Sequence, residues 1–201
     1  MQSVATIPFI AGHVALDFVN TAEERGHPQA GDALGTPADL RLWGQRYDLL
    51  SHSPIGGDER AEFRRALNAR ELLYALFLAQ ARDRQPTRTD LDRLAALVPP
   101  AYTAASLEPA TDGHLTWHWN PSQLSTIRHI AVTAALDLLA RTPPPRLKQC
   151  PGEHCGWFFL DTTKRGNRRW CSMSECGQDA KTARRRAQPT LHQRSPSRPI
   201  T

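Results

Sequence analysis

No apolar run in this 201-residue sequence approaches the ~20 residues needed to cross a bilayer, so no membrane span is expected. The N-terminus, Met1 to Pro8, has no basic start followed by an apolar run. Nothing there directs export to an oxidising compartment, and the chain is expected in the cytoplasm. Catalytic signatures are missing as well. There is no glycine-rich phosphate loop, no nucleophile elbow and no His-Glu-x-x-His helix, so an enzyme is not expected. What is present, 40% hydrophobic and 22% charged residues, is the composition of a globular protein with room for one good domain and a small appendage.

Cysteine is scarce, and its placement is informative. The only four are Cys150, Cys155, Cys171 and Cys176, two pairs of identical spacing separated by a fifteen-residue insert. Two close pairs of soft ligands can converge on one tetrahedral metal, and zinc is the usual occupant of an all-thiolate site. Two disulfides, or four unrelated buried thiols, are the alternatives; matched pairs in a chain without an export signal favour zinc over both. An iron-sulfur cluster fits less well, because the spacing differs from that of ferredoxins. His154 adjoins Cys155 but is expected to face solvent, since four thiolates already complete the set. With no open position for water, such a zinc is structural.

Between the pairs, Trp157, Phe159 and Trp170 are expected to pack over the metal, because a finger this small has little core of its own and zinc supplies much of its folding energy. The basic stretch Lys164 to Arg169, turning at Gly166-Asn167, reads as an exposed loop. Residues 177–186 lack proline and read as a helix with a cationic face. From Arg146 onward there are twelve basic and four acidic residues, a balance of +8, whereas the first 145 positions carry −3 of the overall +5. A basic patch can be no more than a solvated surface, but on a zinc finger it favours a polyanion. Lys164, Arg165, Arg168, Arg169, Lys181, Arg184, Arg185 and Arg186 are the candidate phosphate contacts, and DNA is the expected partner.

The run from Cys150 to Gly177, with its Trp-x-Phe-Leu-Asp-x-Thr-Lys-Arg-Gly-Asn-Arg-Arg-Trp-Cys-Ser-Met core, resembles the CGNR zinc finger. That family is usually joined to an N-terminal ABATE domain, and its members are described as bacterial transcription regulators with a link to stress. The segment Leu16-Asp17-Phe18-Val19-Asn20-Thr21 resembles the opening signature of ABATE domains, and the stretch around Arg70-Glu71 resembles its second helical signature. One departure stands out. The family is named for Cys-Gly-Asn-Arg, whereas this chain has Cys176-Gly177-Gln178-Asp179, so an acid replaces an arginine that could meet an anion.

The N-terminal segment opens with Gly12 to Thr21, whose short apolar run fits either a buried strand or the first turns of a helix. Asp17 and Asn20 are polar residues in apolar company, and capping or bridging of nearby backbone is favoured over ligand binding. With His13 they are nonetheless the candidate pocket for a small-molecule effector. Thr36-Pro37-Ala38-Asp39 is a helix start, with Leu40, Trp43, Tyr47 and Leu50 as its apolar stripe. The strongest helix runs from Asp58 to Asp83, where Arg70-Glu71 reads as a salt bridge or a snorkelling arginine. Thr87 to Asp90 caps a shorter helix expected to end at Pro99-Pro100. Residues 101–120 alternate as a hairpin with its tryptophans on the helices and His118 on the other face, and a last helix follows Pro121.

The expected fold is therefore α+β. A mainly helical domain with a small hairpin spans residues 1–141, a proline-rich linker 142–146, a four-cysteine finger with a C-terminal basic helix 147–188, and a disordered tail 189–201. The expected function is a zinc-dependent, DNA-binding transcription regulator whose N-terminal domain senses an effector or mediates association as a homo-oligomer. The alternative is a protein-interaction or RNA-binding zinc module on a small-molecule-binding domain. Trp157-Phe158-Phe159 would be the docking edge, and Trp157 or Trp170 would stack on unpaired bases.

Overall fold

A computed structural model describes residues 3–23, 25, 30–53, 56–153 and 155–187. His154 and the tail from residue 188 lie outside the described residues. Among those described are six α-helices and two separate two-stranded antiparallel sheets. None of the helices is long and apolar enough to cross a membrane.

The ambiguous first segment is a helix, α1 (Val14–Val19), with every residue from Ala15 to Val19 buried. α2 (Pro37–Arg46) starts as its sequence requires. Thr36 accepts from the Asp39 backbone and Asp39 accepts from the Thr36 backbone, a complete capping box with proline in the first turn. Trp43 and Tyr47 on this helix stack with ring centroids 5.1 Å apart, and Phe9 and Phe18 close the aromatic cluster.

α3 (Glu59–Ala81) is the long central helix, capped by Asp58. Arg70 sits within it, 4% exposed, and donates to both oxygens of Asp32, to Thr21 and to Glu71. The salt-bridge reading of this pair is what the geometry shows, and it ties the loop after α1 to the centre of α3.

α4 (Arg88–Thr103) begins on its Thr87 cap but does not stop at the two prolines. It continues for another turn through Pro99 and Pro100. The carbonyls that lose their N–H partners belong to Ala95 and Ala96, both exposed to water, so no buried acceptor is orphaned. Beyond the prolines Ala101 is completely buried, and its carbonyl accepts from the Trp119 indole at 2.8 Å. Tertiary packing thus overrides the local stop signal.

The hairpin pairs β1 (Ala105–Pro109) with β2 (Leu115–Trp119) in the register Leu107 opposite Trp117. Trp119 packs back on α4, but Trp117 remains 43% exposed, its ring 5.0 Å from that of Tyr102. The expectation that both tryptophans pack on the helices holds for Trp119, which is half-buried. His118 lies on the opposite, exposed face. α5 (Ser125–Arg141) then runs across α1, α3 and α4, with Glu62 of α3 accepting from Arg128 of α5 at 2.6 and 3.2 Å as a buried brace.

After α5 the chain makes one 3₁₀ turn (Pro144–Arg146) and enters β3 (Leu147–Gln149), paired with β4 (Phe158–Leu160). This sheet packs directly on the helices. Phe158 and Phe159 are fully buried in the same hydrophobic cluster as Phe18, Leu73 and Phe77, and the rings of Tyr74 and Phe77 meet Phe158 edge-on at 5.4 and 6.0 Å. Asn20 makes the join specific. Its amide nitrogen donates to the Phe158 carbonyl and its oxygen accepts from the Phe158 N–H, both at 2.9 Å, while Leu160 N–H donates to Ala11.

Replacing Asn20 with alanine leaves both backbone groups of Phe158 buried without partners. Such a loss is worth roughly 2–4 kcal/mol. Urea unfolding of the zinc-loaded protein measures it, and an Asn20→Ala variant within about 0.5 kcal/mol of the parent, the scatter of an ordinary surface change, contradicts the clamp.

Candidate metal centre and nucleic-acid interface

Four short segments bring the cysteines together. Cys150 follows β3, and its N–H donates to the Trp157 carbonyl at 2.7 Å, closing the first pair into a tight loop. Gly152 sits in that loop where a Cβ would lie 3.2 Å from the Cys176 sulfur and 3.1 Å from Cys155 Cβ, so a side chain there would press on the ligands. Cys171 is buried and its N–H points at the Cys150 sulfur, 3.5 Å away. Cys176 opens the last helix, α6 (Cys176–Ala187), whose positive N-terminal end favours a thiolate.

The four sulfurs all lie within 4.8 Å of one another, with Cys155–Cys171 at 3.4 Å and Cys171–Cys176 at 3.6 Å. None of the cysteines is in a disulfide, which disposes of the two-disulfide alternative. Ligands about 2.3 Å from a tetrahedral zinc stand about 3.8 Å apart, so the sulfurs already have nearly the required spacing. Four thiolates, two of them buried, form a closed donor set for one structural zinc.

The basic loop is held from beneath by a carboxylate. Asp161 is buried, and its oxygens accept from the Lys148 ammonium at 2.7 Å, from the Thr163 N–H and from the Arg168 N–H. Burial alone would raise its pKa, but the ammonium and these donors outweigh it and hold the carboxyl well below the usual range. Lys148 also donates to the Gly166 and Arg168 carbonyls, so all three of its protons are used. Gly166 takes the left-handed φ of +62°, the tight turn that its sequence suggests.

The eight candidate cations separate here into two kinds. Arg168 turns inward. Its guanidinium donates to the carbonyls of Trp170, Leu160, Ile10 and Cys171 and lies 4.5 Å from the centre of the Phe159 ring. Four carbonyls occupy it as the pin between the loop, β4 and the N-terminal segment, so it is unavailable to a phosphate. Lys164, Arg165, Arg169, Lys181, Arg184, Arg185 and Arg186 are all exposed, and among the described residues none of them has a carboxylate partner. Asp179, the departure from the family pattern, is exposed in the first turn of α6, where an acid complements the helix dipole.

The aromatic run proposed as a docking edge is not on the surface. Trp157 is 5% exposed, and Phe158 and Phe159 are fully buried. Trp170 is half-buried, with Arg169 over its ring. Sequence periodicity in so short a segment could not show that both faces of β4 are covered, one of them by helices encoded more than 80 residues earlier.

The effector candidates likewise have internal partners. Asp17 accepts from the Ala11 N–H and from the Tyr47 hydroxyl, each at 3.0 Å, and Asn20 holds Phe158. His13 is half-buried, its Nδ1 is buried without a partner, and burial lowers its pKa despite the nearby Asp137. Two cavities of about 690 and 300 Å³ lie among α3, α4 and α5, and none of these three residues lines either one.

The ABATE family, described as "Putative stress-induced transcription regulator", matches residues 12–142, and the CGNR zinc finger matches residues 146–188. No curated protein matches the chain. The two matched segments meet at the Asn20–Phe158 bonds.

Burial pushes the Asp17 carboxyl from 3.8 up to about 6, against the pull of its hydrogen bonds. A raised folded pKa means that the stability linked to Asp17 is present below pH 3.8 and is lost as pH rises through about 6. Asp17→Asn keeps an oxygen acceptor and cannot ionise. Its unfolding free energy, measured with zinc present, should therefore improve relative to the parent by about 1 kcal/mol between about pH 5 and pH 7. A difference that does not change with pH contradicts a buried, titrating Asp17.

Proposed function

The chain belongs to the ABATE family and carries a CGNR zinc finger, and from that premise we propose that it is a DNA-binding transcription regulator rather than an enzyme. The supporting observation is the seven exposed cations on the basic loop and α6, none with a carboxylate partner among the described residues, on two elements that each have an end at the zinc cluster. A polyanion neutralises such a surface by releasing its own counterions, which gives affinity without requiring base contacts. The residues that carry it are Lys164, Arg165, Arg169, Lys181, Arg184, Arg185 and Arg186, with Arg168 holding their frame. Asp179 lies toward the cluster end of α6 and the cationic triplet toward the far end, so the acid does not interrupt the triplet.

Zinc's part is to hold the two cationic elements in one arrangement, and its closed ligand set leaves no position for hydrolytic chemistry. Protein docking through the finger loses its edge in the buried Trp157, Phe158 and Phe159, and stacking on unpaired bases loses Trp157 and keeps only the half-buried Trp170. In this reading the helical segment senses an effector that alters DNA affinity.

Titration with generic duplex DNA at several salt concentrations tests the proposal. The parent's log K should fall steeply with log salt, and Arg169→Ala/Lys181→Ala/Arg185→Ala should reduce that slope by about 2–3 while leaving the melting temperature unchanged. Arg168→Ala should instead lower the melting temperature. A triple variant with the parent's slope, or salt-insensitive binding, contradicts a phosphate-contacting surface.

A further inference from the structure

Well away from the cysteines, the cavity of about 300 Å³ opens between α3, α4 and α5. Its floor is apolar, built from Ala69 and Leu72 of α3 and Ala96 and Leu97 of α4. Three arginines line it, one from each helix, Arg65, Arg93 and Arg128, with Asn68 beside them. No carboxylate lines it.

The charges nearby do not cancel. Glu62, 5% exposed, lies behind the wall and must serve two arginines. It accepts from Arg128 at 2.6 and 3.2 Å and from Arg65 at 2.8 Å. Arg128 is itself buried at 8% exposure and uses only Nε and Nη2 on Glu62, so Nη1 has no protein acceptor among the described residues. Both terminal nitrogens of Arg65 are likewise unused. Arg93 reaches Asp90 only at 3.5 Å, and Asp90 is engaged by the Thr87 hydroxyl at 2.7 Å in the cap of α4. A preorganised excess of positive charge over an apolar floor calls for an anion attached to an apolar body.

We propose that this cavity is a binding site for a small organic anion, a carboxylate carried on an aromatic or branched aliphatic body. Arg128, fixed by Glu62, orients the carboxylate; Arg65 and Arg93 close over it; Leu72 and Leu97 take the apolar part. The site deepens the effector-sensing reading above and rests on it for its regulatory meaning. α3 links the two regions, for it lines the cavity as far as Leu72 and presents Tyr74 and Phe77, within the next two turns, to Phe158 of the zinc-bound sheet.

Calorimetric titration of the full-length, zinc-loaded protein tests the site with benzoate, its neutral isostere benzamide, and inorganic phosphate as probes. Benzoate should bind at least about tenfold more tightly than either of the others. The double variant Arg65→Gln/Arg93→Gln, which alters only exposed side chains, should lose about tenfold in benzoate affinity with an unchanged melting temperature. Equal binding of benzoate and benzamide, equal binding of benzoate and phosphate, retention of affinity by the double variant, or no benzoate binding at all each overturns the proposal. Duplex DNA affinity measured with and without saturating benzoate separates the two readings. A change supports regulation through this site, whereas benzoate binding with unaltered DNA affinity overturns the regulatory reading and leaves the site standing.

Discussion

The structure depends most on the seating of β4 against the helices, fixed by the two hydrogen bonds between Asn20 and the backbone of Phe158. A side-chain amide that satisfies both backbone groups of one residue acts as a short piece of β-ladder, and it specifies register as well as attachment. Phe158 and Phe159 then go into the hydrophobic cluster that α1, α3 and α5 form. The strand is only three residues long and has a single strand partner, so by itself it is marginal. The cysteine cluster beyond the Gln149/Phe158 end of the sheet supplies the missing constraint. Free energy of metal binding therefore acts on the helical core through β4, and the core in turn holds the ligand loops in place.

That arrangement divides the positive charge of the C-terminal segment by task. Arg168 and Lys148 spend all or nearly all their donors on backbone carbonyls and on Asp161, and they build the underside of the basic loop. Arg169, one residue along, stays exposed, its guanidinium 5.7 Å from the centre of the Trp170 ring. A pair of adjacent arginines thus combines one structural and one solvent-facing group, and a count of basic residues overstates the charge available to a partner. The same economy recurs at Glu62, where one buried carboxylate orders two arginines and leaves surplus positive charge at a cavity wall.

Local signals in the chain were readable where the chemistry is local. The matched cysteine pairs, in a chain whose first residues show no export signal, point to one metal site, and the residues at Thr36, Asp58 and Thr87 start helices where capping chemistry requires. The ambiguous run at Val14 to Val19 resolves as helix only because neighbouring elements cover it on every side. Pro99-Pro100 misleads because the burial of Ala101 and its hydrogen bond from Trp119 lie outside any local window. Arg168 and Asn20 could not have been sorted from their neighbours by composition. One of the four carbonyls that hold Arg168, that of Ile10, is 158 residues away in the chain, and the Phe158 backbone is 138 residues from Asn20.

The central claim is that the zinc-bound sheet and the helices form one cooperative unit through β4. Hydrogen exchange followed by mass spectrometry, on the zinc-loaded protein and after chelation, tests it most directly. Loss of zinc should strip protection from peptides covering 14–19 and 59–81 together with those covering 147–160. Retention of full protection in the two helical peptides, with loss confined to residues 147–187, would contradict it.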